Sequence, residues 1–299
     1  MIEVNGVTKF FGDFKALDNI SFDVRNGEVV GYVGLNGAGK TTTIRIAVGV
    51  LNPDSGDVLI NGHSIVREKR IASRYIGWVP EIPIFEPDAR ALDYFVYLAG
   101  YYGISPSDAR SLGRKLLEEV GLGDAINKKL KEYSQGMRKR FALAVSMISN
   151  PDNYAFDEVL NGLDPQGIAY FRDLTLKLRR NRCAVLFSSH ILSEVEAIAD
   201  RVVFIHRGRI VAVETMDEIK AMANPGLYIK LDRIDGKVRD LLSPYGETRI
   251  ERGYIVIVNP PQDPSEILSI LIKNGYKVLE YRQGHSLEDV FFRIIGEKR

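Results

Sequence analysis

Apolar positions along the chain recur first with a period of two and later with a helical period, and the switches between the two divide the sequence into regions. Ile2, Val4 and Val7 open it, and Ile20, Phe22 and Val24 alternate with polar residues as a half-buried strand does. Glu28 to Val33 is a short apolar run suited to a buried strand, and Thr41 to Val50 sets Ile44, Ala47 and Val48 at helical spacing. A turn cluster, Asn52 to Gly56, leads into a strand and turn over Asp57 to Gly62. Tyr75 to Val79 reads as another strand, and Pro80, Pro83 and Pro87 bar regular structure after it. From Ala89 to Asn150 the texture is helical. Leu92, Phe95, Val96 and Ala99 keep one face, and Ser105-Pro106 is a cap and first-turn proline before Leu112, Leu116, Leu117 and Val120.

Strand and helix alternate again from Asn153. Asn153 to Phe156 and Cys183 to Phe187 read as strands, with a helix between them capped by Asp164 and opened by Pro165. A helix from Ile191 to Ala199, a strand from Val202 to Ile205 and the turn His206 to Gly208 follow. The break Asn224-Pro225-Gly226 marks a boundary. Beyond it come strands at Leu227 to Leu231, Tyr254 to Val258 and Tyr276 to Tyr281, and helices at Val238 to Leu242, Ser265 to Asn274 and Ser286 to Ile295. The pattern predicts an α/β domain over residues 1–222, interrupted by a helical insertion at about 86–150, and a small α+β domain over 223–299.

One stretch carries explicit chemistry. Gly34 to Thr41 reads G-L-N-G-A-G-K-T and fits the phosphate-binding pattern G-x-x-x-x-G-K-[ST] at every specified position, between a strand and a helix. Glycines let the backbone N–H groups turn toward phosphate oxygens, and the helix N-terminus adds partial positive charge. Lys40 can then reach the β- and γ-phosphates, and the Thr41 hydroxyl can ligate Mg²⁺. The chain therefore reads as a nucleoside triphosphate binder.

That reading gives other residues a use. Asp157 and Glu158 leave the end of a strand, where Asp157 can hold Mg²⁺ and Glu158 can orient and deprotonate water. His190 also follows a strand end, where ligands of open α/β sheets bind, rather than a core position. Ser134 and Gly136 open a helix and form a second potential anion site, and Glu81 is an acidic residue at a strand end. Thr8 to Phe14 is an aromatic loop; from the residues alone, core packing of Phe10 and Phe11 competes with base stacking.

Composition adds exclusions. A 299-residue chain with 45% hydrophobic and 26% charged residues is of ordinary globular type, and its net charge of +1 sets up no global field toward nucleic acid or anionic lipid. Cys183 is the single cysteine, so there is no disulfide framework and no cysteine metal cluster; its apolar neighbours imply packing. The first residues lack a signal-peptide pattern, and the most apolar stretches, Phe95 to Ile104 and Phe141 to Ile148, are too short to span a bilayer. The expectation is a cytoplasmic chain.

With these pieces in order, residues 1 to about 220 resemble the nucleotide-binding subunit of an ABC transporter. The motifs fall in that family's sequence: aromatic loop at Phe11, Walker A from Gly34 to Thr41, Q-loop position Glu81, signature Tyr133 to Met137, Walker B Asp157 and Glu158, D-loop Asp164, switch His190. The resemblance implies a P-loop NTPase core with an antiparallel β subdomain. It implies that Phe11 stacks on adenine and that Asn36, Gly37, Ala38, Gly39, Lys40, Thr41 and Thr42 surround the phosphates of ATP. Thr41, Glu81 and Asp157 would hold Mg²⁺, Glu158 would be the general base and His190 the γ-phosphate sensor. Ser134 and Gly136, with Asp164 of the D-loop, would meet a nucleotide bound by the opposite subunit of a homodimer or heterodimer.

Departures from the family pattern are specific. The signature reads Y-S-Q-G-M, with Gln135 and Met137 in place of glycine and glutamine, while Ser134 and Gly136 are kept. Glu81 replaces glutamine and adds negative charge beside the phosphates; Val159 replaces a proline and Phe11 a tyrosine. These variants and the C-terminal extension resemble the branch serving drug, antibiotic or polysaccharide efflux. That branch implies an ATPase driving export through a separate membrane permease, held at the inner face of the cell membrane, with no nucleic acid partner. A soluble ATP switch without a membrane partner, and a regulatory module whose C-terminal domain senses a ligand, are the competing readings. The chain has one cassette and no sustained heptads, against the relatives that act on ribosomes or chromosomes.

Overall fold

Alternation at the start of the chain produces a hairpin: β1 (Ile2–Phe11) runs antiparallel to β2 (Phe14–Val24). In this computed structural model the described residues are 1–222 and 226–283, apart from 252, 259, 261 and 262, with isolated positions beyond 283. They fall into two compact units, Met1–Met216 and Asp217–Arg299.

In the first unit β3 (Val29–Val33) is buried at all positions, which is why its sequence is an unbroken apolar run. It feeds α1 (Lys40–Ala47) through the glycine loop. β4 (Ser55–Ile60) and β5 (His63–Ser64) join the hairpin in an antiparallel sheet ordered β2-β1-β4-β5. The short α2 (Lys69–Ala72) leads to β6 (Ile76–Val79). The helical insertion holds α3 (Ala91–Gly100), α4 (Pro106–Glu119) and α5 (Gln135–Ser146). Ser105 caps α4 by accepting from the Asp108 N–H, with Pro106 in the first turn.

The chain then returns to the main sheet with β7 (Asn153–Phe156), α6 (Pro165–Arg180), β8 (Ala184–Ser189), α7 (Leu192–Ile198), β9 (Arg201–His206) and β10 (Arg209–Thr215). The sheet is ordered β10-β9-β3-β8-β7-β6, parallel except for the β9–β10 edge pair. One core joins both sheets: Ile2, Val4 and Ile20 of the hairpin pack with Tyr32 of β3 and Ile44, Ile46 and Ala47 of α1. This core fixes α1 under the hairpin and thereby sets the loop before it. Because β3, β6, β7 and β8 are parallel, their carboxyl ends lie on one edge, and the segments leaving them carry Gly34, Glu81, Asp157 and His190.

α8 (Met216–Met222) begins at the last residue of the first unit. In the second unit β11 (Gly226–Leu231), α9 (Gly236–Leu242), β12 (Glu247–Glu251), β13 (Tyr254–Val258), α10 (Ser265–Lys273) and β14 (Val278–Gln283) form an antiparallel sheet ordered β12-β13-β11-β14 with two helices. Leu227, Ile229 and Ile255 of the sheet pack on Val238, Leu242, Ile267 and Leu271 of the helices.

The structure differs from the sequence reading at three places. The aromatic segment is not a loop: β1 runs through Phe11 and β2 resumes at Phe14, paired to each other, so only Gly12 and Asp13 turn, with Gly12 at φ 57°. β10 was not expected, because its alternate positions are only half-buried and carry a weak pattern. β12 reads E-T-R-I-E, a charged edge strand without an apolar face. Residues 224 and 225 of the expected break, and most of the helix expected over 286–295, lie outside the described residues.

Candidate functional site

The glycine loop is built by close approach. A side chain at Gly34 would bring a Cβ within 2.4 Å of the Ile205 carbonyl oxygen of β9, so only glycine lets the loop leave β3 against its neighbour. Gly39 caps α1 at φ 113°, and a Cβ there would fall 2.7 Å from Leu17 Cδ2 of β2. The loop therefore wraps over the N-terminus of α1, whose first turn holds no acidic residue to compete with an anion.

This loop floors a cleft of about 440 Å³. Phe11, Asn36, Gly37, Gly39, Lys40, Thr41, Thr42, Glu81, Glu158 and His190 all line it, residues far apart in sequence that were singled out separately. Phe14, Ala16 and Asn161 line it as well and had not been anticipated. Phe11 is 51% exposed at its mouth, with Lys9 Nζ 5.9 Å from its ring centre, so the ring is not spent on core packing. Gly34 and Ala38 lie in the loop backbone, with Ala38 buried.

Lys40 is buried, and its Nζ donates to Gly34 O at 2.7 Å and stands 3.2 Å from Glu158 Oε1. Glu158 Oε2 lies 2.9 Å from His190 Nδ1 and accepts from Asn161 Nδ2 at 3.3 Å. Lysine, glutamate and histidine thus form one line across the cleft, with His190 half-exposed at its outer end. His190 stands in the cleft and not in the core, as its place after a strand implied.

Asp157 sits behind them, 1% exposed. Its Oδ1 accepts from Ser188 Oγ at 2.8 Å and from Thr41 Oγ1 at 3.2 Å. Burial pushes the Asp157 carboxyl above the usual range, the two hydroxyl donors oppose this, and the charges of Glu81 and Glu158 add to the rise. A buried carboxylate in such a field gains from a cation. The Thr41–Asp157 pair fits Mg²⁺, which takes few protein oxygens and fills its shell with phosphate and water. Among the described residues no group of three or more His, Cys, Asp and Glu could hold a metal ion by itself.

Glu158 has an unusual backbone: φ is 44°, the left-handed region that disfavours a residue with a long side chain. Its N–H donates to Ser188 Oγ at 2.9 Å and its C=O accepts from Lys139 Nζ at 2.5 Å. Ser188 and Lys139 were not singled out in the sequence; both are buried and act on backbone or on a second carboxylate. The sole hint was a serine two residues before a strand-end histidine and a lysine in a basic run that leads into an apolar stretch of helix.

Other expected site residues stand apart from the cleft. Ser134 caps α5, its Oγ accepting from the Met137 N–H, and is exposed, with Gly136 in the first turn. Asp164 caps α6 by accepting from the Gly167 N–H at 3.0 Å. Neither pair of groups lines the cleft of its own chain.

Residues 17–161 match the family described as ABC transporter. The chain is 33% identical to the uncharacterized ABC transporter ATP-binding protein YhcH of Bacillus subtilis, covering all of this chain and 97% of that protein. It is 32% identical to the bacitracin transport ATP-binding protein BcrA of Bacillus licheniformis, over 99% and 97% of the two chains. A solved ATP-binding subunit of an ABC transporter superposes with a TM-score of 0.69 at 28% identity, covering 74% of this chain and 92% of its own.

Proposed function

The chain belongs to the ABC transporter family of ATP-binding proteins, and from that premise we propose that it binds and hydrolyses ATP to drive export through a separate membrane permease. The observation that supports this most directly is the cleft, where the glycine loop, Lys40, the Thr41–Asp157 pair and the Glu158–His190 pair converge. Among the described residues no helix is long and apolar enough to cross a membrane, in keeping with a permease on another chain and with a peripheral place at the inner face of the cell membrane. Similarity at nearly full length to the Nod factor export ATP-binding protein I of Burkholderia orbicola, at 30% identity, supports export.

In this reading the phosphates lie on the loop from Gly34 through Asn36, Gly37, Ala38 and Gly39 to Lys40, Thr41 and Thr42, and adenine covers Phe11. Thr41 and Asp157, with Glu81 at the cleft wall, would hold Mg²⁺, which would neutralise charge on the phosphates. Lys40 Nζ stands 3.2 Å from Glu158 Oε1. A triphosphate competes for the lysine, and its turning frees one Glu158 oxygen to take the proton of the attacking water. His190 then hydrogen-bonds the γ-phosphate and keeps Glu158 aimed. Ser134, Gly136 and Asp164 serve the nucleotide of an opposite subunit in a head-to-tail dimer. The unit after about residue 217 is an accessory domain, and the protein is not a nucleic-acid binder.

The test is Glu158→Gln. It is expected to keep ATP affinity, to lose turnover by about 10²- to 10⁴-fold, and to accumulate as an ATP-bound dimer in size-exclusion chromatography. Turnover at the wild-type rate would remove Glu158 as the base.

A further inference from the structure

Lys139 has no side-chain atom at the surface and sits on α5, the helix capped by Ser134. Its ammonium makes its contact with a backbone carbonyl, that of Glu158 at 2.5 Å. Burying an ammonium is costly, so an apolar residue would serve better if packing were all the position required. Burial brings the Lys139 ammonium down to about 8, and the charges of Glu81, Glu158 and Asp157 oppose that fall.

What the lysine grips is the strained link of the site. Glu158 is left-handed at φ 44°, and its two backbone polar groups are both claimed, the N–H by Ser188 and the C=O by Lys139 at 2.5 Å and more loosely by the Asn161 N–H at 3.2 Å. The same stripe of α5 touches the next residues. Gln135 packs on Gly162, where an added Cβ would fall 2.7 Å from Gln135 Cδ. A Cβ on Gly136 would come within 3.0 Å of Gly162 O, and Arg140 stands 3.6 Å from Asp164 Oδ2. Residues 135, 136, 139 and 140 share one helix face, so α5 rests along the segment from Glu158 to Asp164.

We propose that Lys139 is a positioning residue for hydrolysis, clamping the backbone of Glu158 from the helix that carries Ser134 and Gly136 and so tying the aim of the base to the seating of that helix. The inference rests on Glu158 being the general base. Through it, engagement of Ser134 and Gly136 by an opposing nucleotide is felt at the chain's own Glu158 through a single rigid turn.

The experiment compares full-length Lys139→Met, Lys139→Gln, Glu158→Gln and the Glu158→Gln/Lys139→Met double variant, measuring steady-state and single-turnover ATP hydrolysis and thermal unfolding. Lys139→Met is expected to lower kcat about 100-fold, the scale of a misplacement of about 1 Å, with KM for ATP within about two-fold. Its unfolding temperature stays within about 3 °C of wild type, because the lost hydrogen bond is offset by removal of a buried charge. Lys139→Gln, which retains a donor, recovers part of the rate. In the Glu158→Gln background Lys139→Met lowers the residual rate no further. Wild-type kcat in Lys139→Met overturns the proposal, as does a fall accompanied by a matching loss of stability, or an additional fall in the double variant. A fully active Glu158→Gln would overturn the underlying reading instead, so the two failures are distinguishable.

Discussion

Ser188→Ala removes one oxygen, and the structure says what that oxygen does. Its hydroxyl donates to Asp157 Oδ1 at 2.8 Å and accepts from the Glu158 N–H at 2.9 Å, with no solvent exposure. Alanine fits the space, so the change isolates hydrogen bonding from packing. The Glu158 N–H is left buried without its acceptor, at a cost of about 1–3 kcal/mol, and Asp157 keeps Thr41 as its remaining hydroxyl donor. A total near 3 kcal/mol lowers the unfolding temperature of the nucleotide-free protein by about 6–12 °C, given about 2–4 °C per kcal/mol for a unit of this size. The catalytic loss is separate. With its backbone held only at the C=O, the left-handed Glu158 is less well fixed than before, and kcat falls by about 10- to 100-fold. ATP affinity is retained, since the loop and Lys40 are untouched. Calorimetry and a phosphate-release assay on one preparation measure both effects. An unfolding temperature within 1 °C of wild type together with wild-type turnover would refute the assignment of Ser188 as the bridge between the two carboxylate residues.

Two further outcomes follow from charges away from the loop. Arg201 of β9 donates to Glu28 Oε1 at 2.8 Å, to the Asp23 carbonyl at 2.7 Å and to Asp23 Oδ2 at 3.3 Å, so Arg201→Met takes the cation from Glu28, leaves Asp23 with Arg25 alone, and destabilises the first unit by about 3 kcal/mol in urea unfolding. Burial alone would raise the Asp23 carboxyl, but Arg201 holds it below the usual range; its stabilisation is present above that range, fades as pH falls through its lowered value, and is missing from the variant. Lys139 gives a slope of the same sign in a higher pH range, though here it is the burial penalty on the charged form that is relieved. Its folded-state value of about 8 lies under the ordinary lysine value of 10.5, so stability increases as pH rises from about 8 toward 10.5, an increase that Lys139→Met abolishes in unfolding measured across that range.

Much of the site was legible because its chemistry is local. A phosphate loop must be contiguous, so Gly34 to Thr41 announces itself, and strand-end acids and a strand-end histidine gain meaning once the loop is recognised. Phe11 needed more: residue type alone favoured packing, and exposure decides against a place in the core. Ser188 and Lys139 were silent because they act through space on the backbone of Glu158, and nothing about a serine in a strand or a lysine in a helix marks that. The left-handed conformation of Glu158 was equally hidden, since the sequence supplies neither glycine nor asparagine at the position. Strands failed in the same way: β10 and β12 are edges, where half-burial and charge erase the alternation that central strands display.

The place of β3 in the main sheet bears on how the protein is made. Both of its neighbours, β8 at Ala184–Ser189 and β9 at Arg201–His206, are encoded late, while the antiparallel sheet of β1, β2, β4 and β5 is complete by Ser64. At about 5–20 residues per second, a ribosome needs roughly 8–30 s to pass from the end of β3 to the start of β8. For that interval the strand that feeds the phosphate loop has both edges open and every side chain meant for an interior. A nascent chain paused anywhere between them presents an adhesive apolar strand, and the helical insertion lengthens the wait. Synonymous changes that slow translation before residue 184 are therefore expected to reduce soluble yield without altering the finished molecule.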